Sequence, residues 1–339
     1  MRENPIERFH LDRESLQFLG HDLQRPECIL AERDGSLWSA DAHGGVVHLW
    51  PDGRQELVTQ KRSSEFTRSA DDVARFTQGT LPNGLAFDRD GHFLISNFGT
   101  DCLERMTRTG ETEVLLDAIE GRPIGKVNFV LRDSRDRLWI TVSTRVRNWV
   151  EALVPDLADG YIVRLDHRGP RIVAEGLRFT NEVRLDAAEE WLYVVETTGG
   201  RILRFRLGAA GELRDREVYG PSHLGKGAYP DGIAFDSAGN LWGTMVYSDK
   251  LFVITPRGDL RILLDEGDPD KVQAVDEAFR ARRLTSELLF QTGRGVAPWM
   301  ASVTFGGSDL RTVYLGSLKG TRIPCFRSPV AGLPMVHWK

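Results

Sequence analysis

Several features that identify common protein classes are absent from this sequence. It has only three cysteines in 339 residues, Cys28, Cys102 and Cys325, and they form no CxxC pair that would indicate a zinc site or a redox motif. No GxSxG or HExxH motif is present. The first residues lack the apolar segment of a secretory signal, and no apolar run approaches the roughly 18 residues of a membrane span. These absences predict a cytoplasmic protein without a membrane partner, and they leave a disulfide between two of the cysteines open.

An excess of positive charge is also missing. The chain has 44 basic and 49 acidic residues and a formal net charge of −5, whereas binding to nucleic-acid phosphates needs a basic face. Hydrophobic residues make up 41% of the chain, which is enough for a substantial core. The composition therefore predicts a globular protein and argues against nucleic acid as its main partner. It leaves the oligomeric state open.

What the sequence does contain is an internal repeat. Six copies begin near residues 26, 82, 127, 180, 230 and 300. Each copy has an apolar strand, a short turn and a second strand with an aromatic residue, which is typical of a β-hairpin. In most copies more strand follows, and successive copies start about 45 to 70 residues apart, which is close to the span of a propeller blade. The repeat predicts an all-β fold, a six-bladed β-propeller in one domain over residues 1–339.

The predicted propeller has one closure strand and three insertions. We expect a strand near residues 16–23 to complete the last blade, because the ring has to be closed. Insertions interrupt the repeat near residues 63–76, 145–159 and 271–289. The first and third have partly helical patterns, and the second is a longer loop containing Trp149. Insertions in repeat proteins fall on loops, often on the binding face, although simple surface decoration is an equal alternative.

The second residue of each copy predicts a polar ring around the propeller axis. The six aligned residues are Glu27, Asn83, Asn128, Asn181, Asp231 and Ala301. Equivalent positions in a propeller lie at equivalent places around the axis, so these side chains should meet in the central channel. Carboxylate and amide oxygens without His or Cys are the ligands of hard cations such as Ca²⁺, Mg²⁺ or Mn²⁺, and Zn²⁺ also accepts carboxylate oxygen. Asn and Asp also favour turns, but Glu27 is poorly explained in that way.

A second repeated position has a structural interpretation. Five residues after the ring position, five of the six copies carry an acidic residue: Glu32, Asp88, Asp133, Asp186 and Asp236. Each of these acids precedes a turn, and short acidic side chains commonly bond the backbone of such turns. We therefore interpret them as turn residues rather than as ligands.

The motifs around these positions resemble the family of gluconolactonase, regucalcin (senescence marker protein) and the luciferin-regenerating enzyme, and more distantly diisopropyl fluorophosphatase. They are PE at Pro26, FTNEVRLD and LYVVET around Asn181, YPDGIAFDSAGNLW from Tyr229 and TFGGSDLRTVYLGS from Thr304. The resemblance extends from about Pro26 to Phe326. It implies a six-bladed propeller with one divalent metal ion in its central channel.

The resemblance also implies roles for individual residues. The family's metal ligands match Glu27, Asn181 and Asp231, and its middle asparagine, a ligand or a substrate contact in different members, matches Asn128. Members that act on sugar lactones carry Arg two residues before that asparagine, where this chain has Lys126. They often carry Asp directly after it, where this chain has Phe129. These two departures argue against an ordinary aldonolactone as the substrate.

The predicted function is metal-dependent hydrolysis of a lactone of a sugar acid or a related small molecule. One divalent ion is held by Glu27, Asn128, Asn181 and Asp231, with Ca²⁺ favoured over Zn²⁺, Mn²⁺ or Mg²⁺. Asp231 is predicted to act as the general base or to orient the attacking water. The predicted substrate contacts are Lys126, Asn128, Asn83 and Trp299. The alternatives are a phosphotriesterase-like hydrolase, a non-hydrolytic isomerase or cyclase with the same metal pocket, and a non-catalytic ligand-binding propeller.

Overall fold

The computed structural model describes residues 4–61 and 79–338. Their strands form six four-stranded sheets and one small two-stranded hairpin, and every strand pair within these sheets is antiparallel. Each four-stranded sheet is one blade, so the six-bladed propeller predicted from the repeat is confirmed. The organisation of residues 1–339 as one domain stays a prediction.

The blades follow one another in chain order, and the first strand of each repeat is the inner strand. A short strand, β1 (Gln17–Leu19), precedes blade 1. Blade 1 contains β2 (Ile29–Ala31), β3 (Leu37–Asp41), β4 (Gly45–Leu49) and β5 (Gln55–Thr59). Blade 2 contains β6 (Pro82–Phe87), β7 (Phe93–Asn97), β8 (Cys102–Met106) and β9 (Thr112–Leu116). The two-stranded hairpin is β10 (Ala118–Ile119) and β11 (Arg122–Pro123).

The remaining blades repeat this order. Blade 3 contains β12 (Val127–Arg132), β13 (Leu138–Val142), β14 (Gly160–Asp166) and β15 (Gly169–Leu177). Blade 4 contains β16 (Thr180–Leu185), β17 (Trp191–Glu196), β18 (Arg201–Leu207) and β19 (Leu213–Tyr219). Blade 5 contains β20 (Pro230–Phe235), β21 (Leu241–Met245), β22 (Lys250–Ile254) and β23 (Leu260–Asp265). Blade 6 contains β24 (Met300–Gly306), β25 (Thr312–Ser317) and β26 (Ile323–Arg327), with β1 as its fourth strand.

The N-terminal segment closes the ring. Strand β1 pairs with β26, with Phe18 opposite Pro324, which confirms the strand predicted near residues 16–23. Ahead of it, Ile6 is completely buried in a core cluster that contains Trp242 of blade 5 and Met300 of blade 6. The segment therefore joins the last two blades, and the closure adds packing as well as strand pairing.

Helical segments lie between blades 5 and 6, within blade 3 and near the two ends of the described chain. The α-helices are α1 (Pro269–Arg280) and α2 (Ser286–Phe290), and the 3₁₀ helices are Pro5–Arg8, Arg13–Ser15, Trp149–Ala152 and Val336–Trp338. Helix α1 begins where the Asp268 side chain accepts hydrogen bonds from the next backbone N–H groups. The helical insertion near 271–289 and the loop at 145–159 are therefore present, while the one near 63–76 lies outside the described residues.

The five acids after the ring position include several that bond the hairpin turns, as expected. In blades 1, 3 and 5 they also accept a hydrogen bond from the indole N–H of the repeated tryptophan, in the pairs Glu32–Trp38, Asp133–Trp139 and Asp236–Trp242. The three cysteines are buried and free, so no disulfide forms. Within residues 4–61 and 79–338, no helix combines the length and the apolar character that a membrane crossing requires.

Candidate metal centre

Irregularities in the inner strands aim the ring residues toward the axis. The pairing register shifts across Asn83, Asn128, Asn181, Asp231 and Ala301, each time where the inner strand meets its neighbour. A bulge of this kind re-aims a side chain and ends local pairing. Glu27 joins the ring without such a register shift. It lies in the segment just before β2, where its backbone N–H donates to the carbonyl of Arg25.

Two glycines let the inner strands approach closely enough to form the ring. A Cβ on Gly232 would lie 2.4 Å from the Ala301 carbonyl oxygen, and a Cβ on Gly84 would lie 2.7 Å from Cα of Phe129. Both distances are too short for a side chain. The pairs Asn83-Gly84 and Asp231-Gly232 are therefore packing positions on the inner strands, not turn tips.

A small cavity of about 50 Å³ lies at the ring, and every blade contributes to its wall. The polar lining consists of Arg25, Glu27, Asn83, Asn128, Asn181, Thr197 and Asp231. The apolar lining consists of Phe98, Trp149, Phe179, Val246, Tyr247, Trp299 and Leu318. The structure thus brings together the four predicted ligands and three of the four predicted substrate contacts, Asn83, Asn128 and Trp299. Trp149 shows that the 145–159 insertion forms part of the wall.

Three of the predicted ligands present buried oxygens without a hydrogen-bond partner. They are Oε2 of Glu27, Oδ1 of Asn128 and Oδ1 of Asn181. The Asn181 amide N–H donates to Thr197 at 3.1 Å, which turns its oxygen away from that partner. Buried polar atoms without partners are rare because they are costly. Oxygens left unpaired in this way fit a cation bound among them.

The two carboxylates of the ring are strongly perturbed. Burial, followed by the charge of Asp231, raises the pKa of Glu27 well above its usual range. Burial, followed by the charge of Glu182, raises the pKa of Asp231 in the same way, while Arg25 and a hydrogen bond from Asn181 oppose the rise. Two buried acids whose pKa values are both raised well above the usual range form a site of concentrated negative charge, which a divalent cation would neutralise.

Asn83 and Arg25 form a bonded unit at one side of the ring. The Asn83 side chain donates to Oε1 of Glu27 at 3.1 Å and accepts from the Arg25 guanidinium at 2.6 Å. Asn83 therefore holds Glu27 in place, and its oxygen is already occupied. Arg25 was not among the residues predicted from the sequence.

The structure does not bring Lys126 to the cavity. Its ammonium lies 2.8 Å from Oδ1 of Asp101 and 3.3 Å from the Phe98 carbonyl oxygen, and the residue is 3% exposed. Phe98 stands in the wall instead. Lys126 supports this wall through its bond to Phe98, and its predicted contact with the substrate stays a prediction.

The contrast between Arg25 and Lys126 follows from backbone conformation. Both lie two residues before a ring position, where the six copies have Arg25, Leu81, Lys126, Phe179, Tyr229 and Trp299. Arg25, Phe179 and Trp299 have positive φ angles of 55°, 50° and 54°, and these three line the cavity. The other three are not among the lining residues. The repeat alignment identifies this position, but not which copies turn inward.

A second group of possible ligands lies away from the ring. Asp88, Asp90 and His92 have ligand atoms within 4.8 Å of one another at the tip of the blade 2 hairpin. Arg105 already occupies this group, since it donates to Asp88 at 2.6 Å and pairs with Asp90 at 3.3 Å. The cluster is a turn bonded to an arginine, so the ring remains the candidate metal centre.

The sequence of residues 25–265, which covers blades 1 to 5, matches the family model described as the SMP-30/Gluconolactonase/LRE-like region. The chain belongs to this family. The match confirms the resemblance found in the sequence, although it ends at the last strand of blade 5 rather than near Phe326.

The individual relatives that this chain matches share low sequence identity with it. The chain is 27% identical over 169 residues to a 6-deoxy-6-sulfogluconolactonase of Pseudomonas putida, covering 49% of this chain and 48% of that protein. It spans about half the length of the curated relatives it matches. Among solved structures, it is similar to a luciferin-regenerating enzyme at 15% identity and a TM-score of 0.68, covering 95% of this chain and 98% of that one.

A further solved structure is a calcium-binding protein, regucalcin, from Agrobacterium tumefaciens. It is 16% identical with a TM-score of 0.65 and covers 95% of this chain and 98% of that one. At these identities the structural similarity establishes the propeller fold.

Proposed function

We propose that this propeller is a metal-dependent hydrolase that opens a lactone of a sugar acid or a related small molecule. The observation that carries the proposal is the set of unpaired buried oxygens on Glu27, Asn128 and Asn181 beside the buried Asp231 carboxylate. Membership of the gluconolactonase-like family supports the lactone class of substrate. The named activity of the Pseudomonas relative points to the same class.

The ion is proposed to be one divalent cation held by Glu27, Asn128, Asn181 and Asp231. Four side-chain oxygens without nitrogen or sulfur favour a hard cation, and the calcium-binding regucalcin has the same fold, so Ca²⁺ is favoured over Zn²⁺, Mn²⁺ and Mg²⁺. When bound, such an ion would polarise the lactone carbonyl and stabilise the negative charge that develops on its oxygen.

Asp231 is the proposed general base. It takes a proton from the water that attacks the lactone carbonyl carbon. The ring C–O bond then breaks, and the leaving alkoxide receives that proton from Asp231 to give the hydroxy acid. The Asp231 carboxylate lines the cavity beside the other proposed ligands, where it can accept a proton from the attacking water. Asn128 and Trp299 line the same cavity, so we propose that they contact the substrate, while Asn83 holds Glu27.

The apolar rim has to open for a sugar-sized substrate. The cavity has a volume of about 50 Å³, whereas typical small-molecule sites have roughly 300–1,000 Å³. The ring as it stands has room for an ion and little more. Trp149 packs against both Phe98 and Phe179 at this rim, and it belongs to the inserted loop. We propose that this loop moves when substrate binds.

Elemental analysis and a substrate panel test the proposal together. Protein purified without chelator should contain about one divalent ion per chain, and it should hydrolyse at least one member of a panel of aldonolactones and related lactones. Chelation should abolish the activity, and Ca²⁺ or another divalent ion should restore it. Protein without bound ion, and inactive when loaded with each of the four ions, would contradict the proposal.

The same panel separates the alternatives. Turnover of aryl phosphotriesters rather than lactones would identify a phosphotriesterase-like hydrolase. Turnover without the mass gain of one water would identify an isomerase or a cyclase, and ion binding without any turnover would leave a ligand-binding propeller.

A further inference from the structure

Arg25 is an unusual residue for the wall of a metal cavity. It has a positive φ of 55°, a conformation that costs a non-glycine residue free energy and persists only where surrounding contacts hold it. It is 8% exposed and lines the cavity together with Glu27 and Asp231. A buried guanidinium also loses its hydration. Two unfavourable features at one residue of the site indicate a function for this side chain.

The hydrogen bonds of Arg25 go to neutral groups. Its guanidinium donates to the Pro82 carbonyl at 3.1 Å and to Oδ1 of Asn83 at 2.6 Å. A guanidinium has five N–H donors, so most of its donors are not used by these bonds, and Nε is buried without a partner.

The other buried arginines of the described residues are neutralised directly. Arg137 lies 2.6 Å from the carboxylate of Asp133, and Arg164 lies 3.2 Å from that of Asp166. Both are therefore ion pairs that stabilise the hairpins around them. Arg25 differs because its bonded partners, a carbonyl and an amide oxygen, carry no charge.

Once a divalent cation is bound among the ligands, the positive charge of Arg25 has no negative charge to balance it. The carboxylates of Glu27 and Asp231 together balance a divalent cation, and the nearby Glu182 is paired with Arg184 at 3.0 Å. A desolvated cavity with one surplus positive charge favours a ligand that brings one negative charge. Lys126 cannot take this role in the structure, because its ammonium is bound to Asp101.

We infer that Arg25 binds an oxyacid group, a carboxylate or a sulfonate, on the substrate, so that the preferred lactone is anionic. This inference rests on the proposed lactonase function and narrows its substrate class. A planar guanidinium bonds such groups through two parallel N–H donors. Arg25 is a specificity-determining residue in the wall, and the chemistry of ring opening stays with the metal ligands and Asp231.

The test compares the 1,4-lactones of glucaric acid and gluconic acid, which carry a carboxylate or a hydroxymethyl group at the same end. A gluconolactone with a sulfonate at C6 is the third substrate tested, and it distinguishes a preference for sulfonate from one for carboxylate. The wild-type protein should prefer one anionic lactone in kcat/KM. In Arg25→Met this preference should fall by about 10- to 100-fold, the scale of a charged hydrogen bond, and Arg25→Lys should retain part of it. Arg33→Met, at an exposed turn position, is the matched control.

Metal titration by calorimetry without lactone gives the second readout. Arg25→Met should bind the ion as tightly as wild type or more tightly, because a like charge near it is gone. Arg25→Gly fits the positive φ without strain and repeats both measurements if Arg25→Met folds poorly. Loss of the ion in both variants would show that Arg25 builds the centre instead of binding substrate, and an unchanged lactone preference would also overturn the inference.

The two proposals fail in different ways. A protein that holds its ion and opens both lactones, with a preference that Arg25→Met does not change, retains the proposed function and loses this inference. A wild-type protein that holds no ion, while Arg25→Met acquires one, would show that the guanidinium replaces the cation. That result would overturn both.

Discussion

At the scale of single residues, the proposed metal centre depends on oxygen atoms that have no hydrogen-bond partner in the protein. Asn181 illustrates the arrangement, because its amide N–H donates to Thr197 while its amide oxygen has no hydrogen-bond partner. Asn83 shows the opposite case, since both ends of its amide are engaged. The same residue type at equivalent repeat positions therefore serves two purposes, and the difference is made by the neighbouring side chains.

Substitution of the two carboxylates should separate catalysis from binding of the ion. Asp231→Asn keeps an oxygen and nearly the same volume but removes the basicity, so kcat should fall by about 10²-fold or more, the scale of general acid–base catalysis. Glu27→Gln removes one charge from the surroundings of the ion, so it should first weaken metal affinity. The measurement is kcat as a function of added metal for each variant.

Excess metal is the discriminating condition for this pair. It should restore much of the activity of Glu27→Gln and little of that of Asp231→Asn. If metal restores both variants equally, Asp231 acts only as a ligand and another group is the base.

At the scale of elements, the bulged inner strands determine how closely the ring residues converge. Five of the six inner strands change register at the ring position. Gly232 follows Asp231 and packs directly on the backbone of blade 6. The geometry of the centre therefore depends on contacts between neighbouring blades, as well as on the ligands themselves.

Gly232→Ala should distort the proposed metal centre through this contact. Its Cβ would meet the Ala301 carbonyl oxygen at 2.4 Å, so β20 has to shift, at a cost of about 1–3 kcal/mol. The shift displaces Asp231, and metal affinity measured by calorimetry should fall by about tenfold or more, as it does when support of a ligand is lost.

Gly169→Ala provides the control for this prediction. Gly169 has a φ of 87° and no atom near its would-be Cβ, so the substitution carries only the backbone strain, about 1–2 kcal/mol. Metal affinity should not change. Equal affinity losses in the two variants would show that general destabilisation, rather than the contact between blades, controls the site.

At the scale of the whole molecule, stability depends on closure of the ring by the N-terminal segment. Strand β1 covers the edge of β26, Asn4 bonds Asn240, and Arg257 bonds Glu7 at 2.7 Å. These contacts join the beginning of the chain to blades 5 and 6. Opening this junction would expose the β26 edge and part of the core at the same time.

Ile6→Ala should therefore destabilise the protein as a core substitution does. Ile6 is completely buried between blades 5 and 6, and the free energy of unfolding measured with urea should fall by about 2–5 kcal/mol. Ile262→Ala is the matched control, since Ile262 is 42% exposed on β23, and it should cost below about 1 kcal/mol. Similar losses for both would mean that the N-terminal segment does not contribute to the cooperative core.

Much of the fold followed from the sequence because a propeller repeats its strand pattern. The alignment that placed Glu27, Asn128, Asn181 and Asp231 in equivalent positions was sufficient to predict that they share one cavity. The closure strand followed from the need to complete blade 6. Such predictions succeed because equivalent strand positions occupy equivalent places around an axis, whatever the intervening loops do.

The tertiary structure alone decided which side chains complete the site. Arg25 and Lys126 occupy the same repeat position. Arg25 has a positive φ and lines the cavity, whereas Lys126 forms an ion pair with Asp101 and does not line it. Trp149 enters the wall from an insertion that has no counterpart in the other copies. A repeat determines the positions that its copies share, whereas backbone handedness, ion pairs with non-repeated residues and inserted loops depend on contacts between distant parts of the chain.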